Sequence, residues 1–267
     1  MVKHILTLMF LFILFTDVNG QITLQPKQQN FEYKGIIYRK EVYMDFCLST
    51  NGASLGLNFA KIGAFQSTKY YHYEIATLSD PREKSQNKNL AVSYNDISSS
   101  FKFGKQNHVI MLRAGVGKKK FLSDKAKRKG IAIGYDMEIG PTLAVLIPYY
   151  LDLIYTETQG GVTNLTIKTE KYNSDNADTF LDYDRIYGGT GYFTGFGEAS
   201  VQPGIQGKLG LLFSLGQYDK TIKALEVGLM ADVFFKKIPI MVETDNVKNK
   251  PYFLNFYLTF QFGKRKI

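Results

Sequence analysis

The chain has 267 residues, a formal net charge of +9, 45% hydrophobic and 14% aromatic residues, and one cysteine, Cys47. A lone cysteine cannot close an internal disulfide, so a packed core or a closed barrel must hold the fold. Beyond the first twenty residues no apolar run reaches the roughly 18 to 20 residues of a membrane-spanning helix, which excludes a helical membrane protein.

Residues 1–20 read as a cleaved signal peptide. Lys3 and His4 precede an apolar run from Ile5 to Phe15, and Asp17-Val18-Asn19-Gly20 follows it. The run is about half the length of a spanning helix, so cleavage before Gln21 is expected rather than a retained anchor. No cysteine near the junction supports acylation. The leader carries Lys3 and Asp17, so the surplus of +9 belongs to the mature chain as well. In an exported protein that surplus points to lipid phosphates or anionic glycolipid rather than to nucleic acid.

A periplasmic N-terminal segment is expected over 21–35, followed by an all-β domain over 36–267. Apolar and polar residues alternate in segment after segment, as in strands with one greasy and one wetter face. Val42, Met44, Phe46 and Leu48 begin the series; Leu55, Leu57 and Phe59 follow, then Tyr71, Tyr73 and Ile75. A weaker strand is predicted near 97–104. Next come Ile110, Leu112, Ala114 and Val116, then Ile131 to Ile139, and, after a turn at Gly140-Pro141, Leu143 to Leu153. Leu209 to Leu215, Leu225 to Val233, and Tyr252 to Phe262 complete it. The count is about ten strands, within a range of about 8 to 12, and the expected architecture is an antiparallel up-and-down transmembrane β-barrel.

The connections support it. Short ones at about 63–68, 104–107, 139–142 and 216–221 fall on one side, the periplasmic one, and mostly longer ones fall on the other, as in outer-membrane barrels. A soluble β-sandwich or lipocalin-like barrel would alternate too, with its apolar face inward. The leader, the strand length and the aromatic final strand favour the membrane.

With the greasy stripe facing lipid, the opposite parity encloses Arg39, Glu41, Asp45, His72, Glu74, Arg113, Asp136, Glu138, Asp152, Lys208, Glu226 and Asp232. Charges of both signs inside a narrow barrel are expected to pair, because buried unpaired charge is costly; a plugged interior is preferred to an open pore. Lys118, Lys119, Lys120, Lys125, Lys127, Arg128 and Lys129 form the densest charge feature, read as an outer loop in contact with anionic lipid or an acidic partner. The long outer loop 156–204 is too aromatic for plain disorder, and Tyr183, Tyr187, Tyr192, Phe193 and Phe196 are its candidate contact residues.

The final stretch, Tyr252-Phe253-Leu254-Asn255-Phe256-Tyr257-Leu258-Thr259-Phe260-Gln261-Phe262, resembles the C-terminal assembly signal of outer-membrane barrels, although Gly263-Lys264-Arg265-Lys266-Ile267 continues beyond it. Tyr73-Glu74-Ile75 through Asp80-Pro81-Arg82-Glu83, Phe103-Gly104-Lys105-Gln106-Asn107, Leu112-Arg113-Ala114-Gly115-Val116-Gly117, and Gly140-Pro141-Thr142-Leu143 with Pro148-Tyr149-Tyr150 resemble an uncharacterised family of outer-membrane β-barrels from Bacteroidota. The resemblance covers roughly residues 70 to 155. It implies a barrel and an envelope location, and no reaction.

Catalysis finds little footing. A His72–Glu74 pair with Ser214 or Ser49 is conceivable as a lipid-modifying site, but no Gly-x-Ser-x-Gly elbow occurs. His72, His108 and Cys47 match no familiar metal spacing, and the run Asn173 to Asp178 does not match the EF-hand order. No cofactor is expected. The sequence-level expectation is a non-enzymatic outer-membrane barrel, an accessory or scaffold subunit of an envelope assembly or secretion complex. Its expected partners are outer-membrane lipid and other envelope proteins, and not nucleic acid. A narrow solute channel is the alternative, and the lipid-modifying enzyme a second.

Overall fold

A computed structural model describes residues 38–267, apart from 65–66, 89–90, 94–95, 123–130, 160–161, 192, 216–219 and 245–247. The signal peptide (1–20), the segment 21–35, Lys125, Lys127, Arg128, Lys129 and Tyr192 lie outside the described residues.

In chain order the strands are β1 (Lys40–Ser49), β2 (Gly52–Ala64), β3 (Ser67–Leu78), β4 (Ser85–Gln86), β5 (Ala91–Ser93), β6 (Asp96–Ile97), β7 (Phe101–Lys102) and β8 (Asn107–Phe121). They continue with β9 (Ala132–Pro148), β10 (Tyr150–Gln159), β11 (Val162–Lys171), β12 (Ile186–Gly189), β13 (Ser200–Ser214), β14 (Thr221–Phe234) and β15 (Tyr252–Lys266). Eight of them close an antiparallel barrel in the order β1-β15-β14-β13-β9-β8-β3-β2. Among the described residues no helix is long and apolar enough to cross a membrane, which says nothing of crossing by strands.

The barrel therefore has eight strands, not the expected ten, and two misreadings account for the difference. The stretch 97–104 is not a barrel strand: it holds the short β7 and the end of β6, which pair with β4 and β5 outside the barrel. Gly140-Pro141 is not a turn either, but lies within the continuous β9. Proline removes one ladder donor, and β8 and β9 lose pairing between Arg113↔Thr142 and Val116↔Ile139 without any change of register. The backbones approach closely there. A Cβ on Gly140 would stand 2.0 Å from the Ala114 carbonyl oxygen and 2.5 Å from Gly115 Cα, so glycine is required for packing and not for turning.

Away from their cap ends the barrel strands alternate, and the sense of the alternation is the reverse of a soluble barrel's. Met44, Phe46, Leu57, Phe59, Tyr71, Tyr73, Leu143, Leu209, Leu229, Leu254 and Phe256 point outward and are exposed, while Asp45, Asn58, His72, Glu74, Arg113, Asp136, Gln206, Asp232 and Gln261 point inward and are buried. The two ends differ as well. At the turn end, β2 meets β3 across 65–66, β8 meets β9 across 122–131, and β13 meets β14 across 215–220. At the other end the residues between β3 and β8, between β9 and β13, and between β14 and β15 carry extra structure, referred to below as the cap. Lys118, Lys119 and Lys120 consequently stand at the turn end, where β1 starts and β15 finishes, on the same side as the connections from β2 to β3 and from β13 to β14 and not opposite them as expected.

Within the cap, β10, β11 and β12 form a sheet in the order β11-β10-β12. Phe101, Tyr149, Leu151, Leu153, Phe180, Ile186 and Val242 make its buried core. A second apolar cluster closes the barrel mouth: Leu78, Val109, Met111, Leu146 and Phe234 from the strands pack against Ile238, Ile240 and Met241 from the segment between β14 and β15. That segment is pinned by its backbone. Gln106 N donates to Ile240 O at 2.9 Å, Asn107 Nδ2 donates to Pro239 O at 2.7 Å, and Val242 N donates to Gly104 O at 2.8 Å. Gly104 sits at φ 68°, a left-handed conformation that glycine adopts without steric cost.

Candidate functional site

The interior below the mouth is filled by a network of charged and polar side chains built from alternate residues of every wall strand. Its centre is Arg113 on β8. Nε and Nη2 donate to Asp232 Oδ1 and Oδ2 at 2.9 and 2.8 Å, and Nη1 donates to Glu74 Oε1. Glu74 also accepts from Lys208 Nζ at 2.6 Å, and its Oε2 lies 3.1 Å from His72 Nε2. The chain of contacts continues from His72 Nδ1 to Asn58 Oδ1 at 2.7 Å, and from Asn58 Nδ2 to Asp45 Oδ2 at 2.7 Å. Five wall strands besides β8 are thereby tied together through their side chains as well as their backbones.

A second group lies nearer the turn end. Tyr70 donates to Asp136 Oδ1 at 2.8 Å and sits 3.1 Å from Glu138 Oε2, which shares its carboxylate with Gln206 Nε2 at 2.7 Å. Lys119 Nζ donates to Gln261 Oε1 at 2.6 Å and rests 3.9 Å from the centre of the Tyr43 ring. Glu226 accepts from Tyr257 at 2.5 Å and from Gln261 Nε2 at 2.8 Å. Closest to the rim, Arg265 Nε donates to Glu41 Oε1 at 2.6 Å.

Of the twelve interior candidates, Glu41, Asp45, His72, Glu74, Arg113, Asp136, Glu138, Lys208, Glu226 and Asp232 share this interior. Arg39 and Asp152 do not. Arg39 precedes β1 and is exposed, and Asp152 belongs to β10 in the cap, where it accepts from Thr169 Oγ1 at 2.5 Å. Both were assigned by extending strand parity past the true strand ends. Lys119 corrects the opposite way: grouped with its neighbours as a headgroup contact, it points inward and is buried, whereas Lys118 and Lys120 are exposed. Parity counted from Arg113 gives Lys119 the same face, six residues along one unbroken strand. Tyr43, Tyr70, Asn58, Gln206 and Gln261 were absent from the candidate set because it was confined to ionisable groups other than tyrosine.

Both ring nitrogens of His72 are engaged, by Asn58 and Glu74, and the side chain is buried within the network, while Ser49 Oγ donates to Gly52 O. No group of three or more His, Cys, Asp or Glu side chains suited to a metal ion occurs among the described residues. The run from Asn173 to Asp178 has a structural role, with Asn173 Oδ1 accepting from Asp175 N at 2.9 Å and Asn176 N at 2.7 Å.

In the cap, Glu83 Oε2 accepts from Lys102 Nζ and Lys105 Nζ, each at 2.6 Å. Burial alone would raise the Glu83 carboxyl, but the hydrogen bonds from both lysines and the Lys105 charge outweigh it and hold the group below its ordinary range. Burial lowers the Lys105 ammonium despite its bond to Glu83. Of the aromatic contact candidates, Tyr183 packs against the Phe101 and Phe103 rings at 5.8 and 6.2 Å, and Tyr187 is buried. Phe193 and Phe196 are 78% and 56% exposed.

Comparison with known proteins yields a likeness of fold only. No protein-family model matches the chain, and no curated protein matches it. Among solved structures it is similar to Ail, the attachment invasion locus protein of Yersinia pestis, in complex with the heparin analogue sucrose octasulfate, at 6% identity and a TM-score of 0.40. The structure of Ail without that ligand gives 6% identity and a TM-score of 0.38. Both alignments cover 86% of this chain and 100% of the other.

Proposed function

We propose that this chain is a plugged outer-membrane β-barrel, non-enzymatic, that holds its cap at the cell surface as an accessory or scaffold subunit of an envelope complex. The observation that carries the reading is the inverted barrel: large apolar side chains point outward, and charged and polar side chains point inward into a hydrogen-bonded network. In water such an outer wall would be a large exposed apolar surface of the kind soluble monomers avoid. In hydrocarbon it is the required arrangement, since a closed sheet pairs its backbone groups between strands and turns side chains toward lipid.

The dimensions agree with this reading. From Leu254 to Phe262 the outward residues of β15 are Leu254, Phe256, Leu258, Phe260 and Phe262. They cover about 27 Å of strand, roughly 21 Å of height at a tilt of about 40°, close to the apolar band of such barrels. The leader supplies export, and the turn end, with both ends of the barrel sheet, faces the periplasm. A filled interior beneath an apolar mouth favours a structural barrel over the channel alternative, and the engaged His72 disfavours the lipid-modifying alternative. The exposed Phe193 and Phe196 mark the cap as the surface that meets a partner.

The test is expression with an affinity tag after Ile267, followed by membrane fractionation and pull-down in mild detergent. Recovery from the outer-membrane fraction with a stoichiometric envelope protein is expected. Free solubility without detergent would refute the barrel reading, and a consistently lone monomer would refute the accessory role.

A further inference from the structure

The outward stripe of the barrel changes character abruptly at the turn end. On β1, β2, β3, β8, β14 and β15 the outward position next beyond the apolar stripe is a lysine: Lys40 after Val42, Lys61 after Phe59, Lys69 after Tyr71, Lys118 after Val116, Lys223 before Leu225, and Lys264 after Phe262. These strands are consecutive around the wall, β8-β3-β2-β1-β15-β14. The ladder register sets five lysines side by side, with Lys266↔Lys40, Lys40↔Lys61, Lys61↔Lys69 and Lys69↔Lys118 as direct partners on neighbouring strands.

Like charges directly opposite one another on a sheet are destabilising unless something neutralises them. Among the described residues no such group stands on this face. No aspartate or glutamate takes an outward position on any of the eight barrel strands among the described residues, and all five lysines are exposed. Outward positions at the cap end of the same strands carry no lysine or arginine. Lys40, Lys61, Lys69 and Lys118 therefore each stand about 7 Å along the strand from the last apolar side chain, the level at which hydrocarbon gives way to headgroups, and Lys266 stands one outward position beyond Lys264, about 13 Å from Phe262. The row slants because the strands tilt, and the flexible lysine stems let the charged ends reach a common level.

We propose that the row Lys266–Lys40–Lys61–Lys69–Lys118 is a binding site for the phosphate groups of anionic phospholipids in the leaflet at the turn end. The inference rests on the barrel crossing a membrane. It differs from the earlier assignment of lipid contact to the whole lysine-rich loop, because Lys119 is excluded and the site is assembled by register from five strands. Bound phosphates convert the repulsive row into alternating charge, so the annulus at this rim is selected for anionic lipid and the barrel is fixed in depth.

Native mass spectrometry of the full mature chain tests this. Detergent-solubilised protein is offered an equimolar mixture of phosphatidylglycerol and phosphatidylcholine, and lipid adducts are counted. A preference of about tenfold or more for phosphatidylglycerol is expected, since each lysine at an anionic surface contributes about 1 kcal/mol, or about fivefold. The preference should fall at high salt, persist when the five lysines are replaced by arginine, and drop towards one when Lys40, Lys61, Lys69, Lys118 and Lys266 are replaced by glutamine. Should the glutamine variant fail to fold, the paired variants Lys40→Gln/Lys61→Gln and Lys69→Gln/Lys118→Gln give the same readout. Equal retention of the two lipids by the unaltered protein overturns the lipid site and leaves the barrel reading standing. Loss of adducts to millimolar inorganic phosphate also overturns it, in favour of a free-anion site. A chain that binds neither lipid and stays in solution without detergent overturns both.

Discussion

Arg113 on β8 and Asp232 on β14 meet across the barrel interior through two parallel hydrogen bonds of 2.9 and 2.8 Å, although β9 and β13 stand between their strands in the wall. The bond is thus a strut and not a neighbour contact. Its guanidinium also serves Glu74, so removing it takes both hydrogen bonds from the enclosed Asp232 and leaves Glu74 to Lys208 and His72.

Arg113→Met is accordingly expected to cost about 3 to 5 kcal/mol, the penalty for leaving a buried charge without its partner. The double variant Arg113→Met/Asp232→Leu should lose less than the sum of the two single variants, because the pair is removed together. Urea unfolding of protein refolded into lipid vesicles measures both. Strict additivity would show that the two residues do not act as a pair.

The outer wall offers a sharper discrimination between surroundings. Phe256 is 72% exposed, so in water its replacement by arginine would alter stability by no more than about 0.5 kcal/mol. Against hydrocarbon near the midplane the same change costs about 2 to 4 kcal/mol. The same unfolding assay on Phe256→Arg reads the difference, and a neutral result would mean that this face meets solvent.

Most of the barrel was legible in the sequence because period-2 alternation survives in every wall strand, and parity alone brought His72, Glu74, Arg113 and Asp232 to one side. What parity cannot report is where a strand stops. Asp152 continues the alternation of β9 into β10, which has left the wall, and Gly140-Pro141 carries a turn's composition while serving a close approach of two strands. The apolar plug was illegible for a related reason. Ile238, Ile240 and Met241 lie in a segment without strand periodicity, and only the tertiary fold brings them over Met111 and Leu146.

That plug makes its own prediction. Ile238 and Ile240 are fully enclosed at the mouth, so Ile240→Ala should cost about 2 to 5 kcal/mol through lost burial and an unfilled cavity. Ile238→Ala/Ile240→Ala should expose the segment between β14 and β15 to a protease added from the cap side. Planar-bilayer recording of this variant is expected to stay silent, because the ionic layer beneath still fills the interior. A stable conductance step would transfer the seal from the charge network to the plug and revive the channel alternative.

The cap has a dependence on pH whose sign follows from Glu83. Its carboxyl, held by Lys102 and Lys105, has a folded value below the ordinary 4.5. A depressed folded value means that the ionised form favours folding. The stabilisation is therefore complete above about pH 4.5 and is lost as the pH falls through the lower folded value. Amide exchange over 101–106, corrected for intrinsic rate, should quicken as the pH falls below about 4. Glu83→Gln should quicken it above about pH 4.5, approach the wild-type rate at the acid end and so flatten the profile, because the amide offers the two ammonium groups no charge to titrate. A wild-type profile that instead loosened between about pH 5 and 7 would mean that a different group, titrating nearer neutrality, holds the cap.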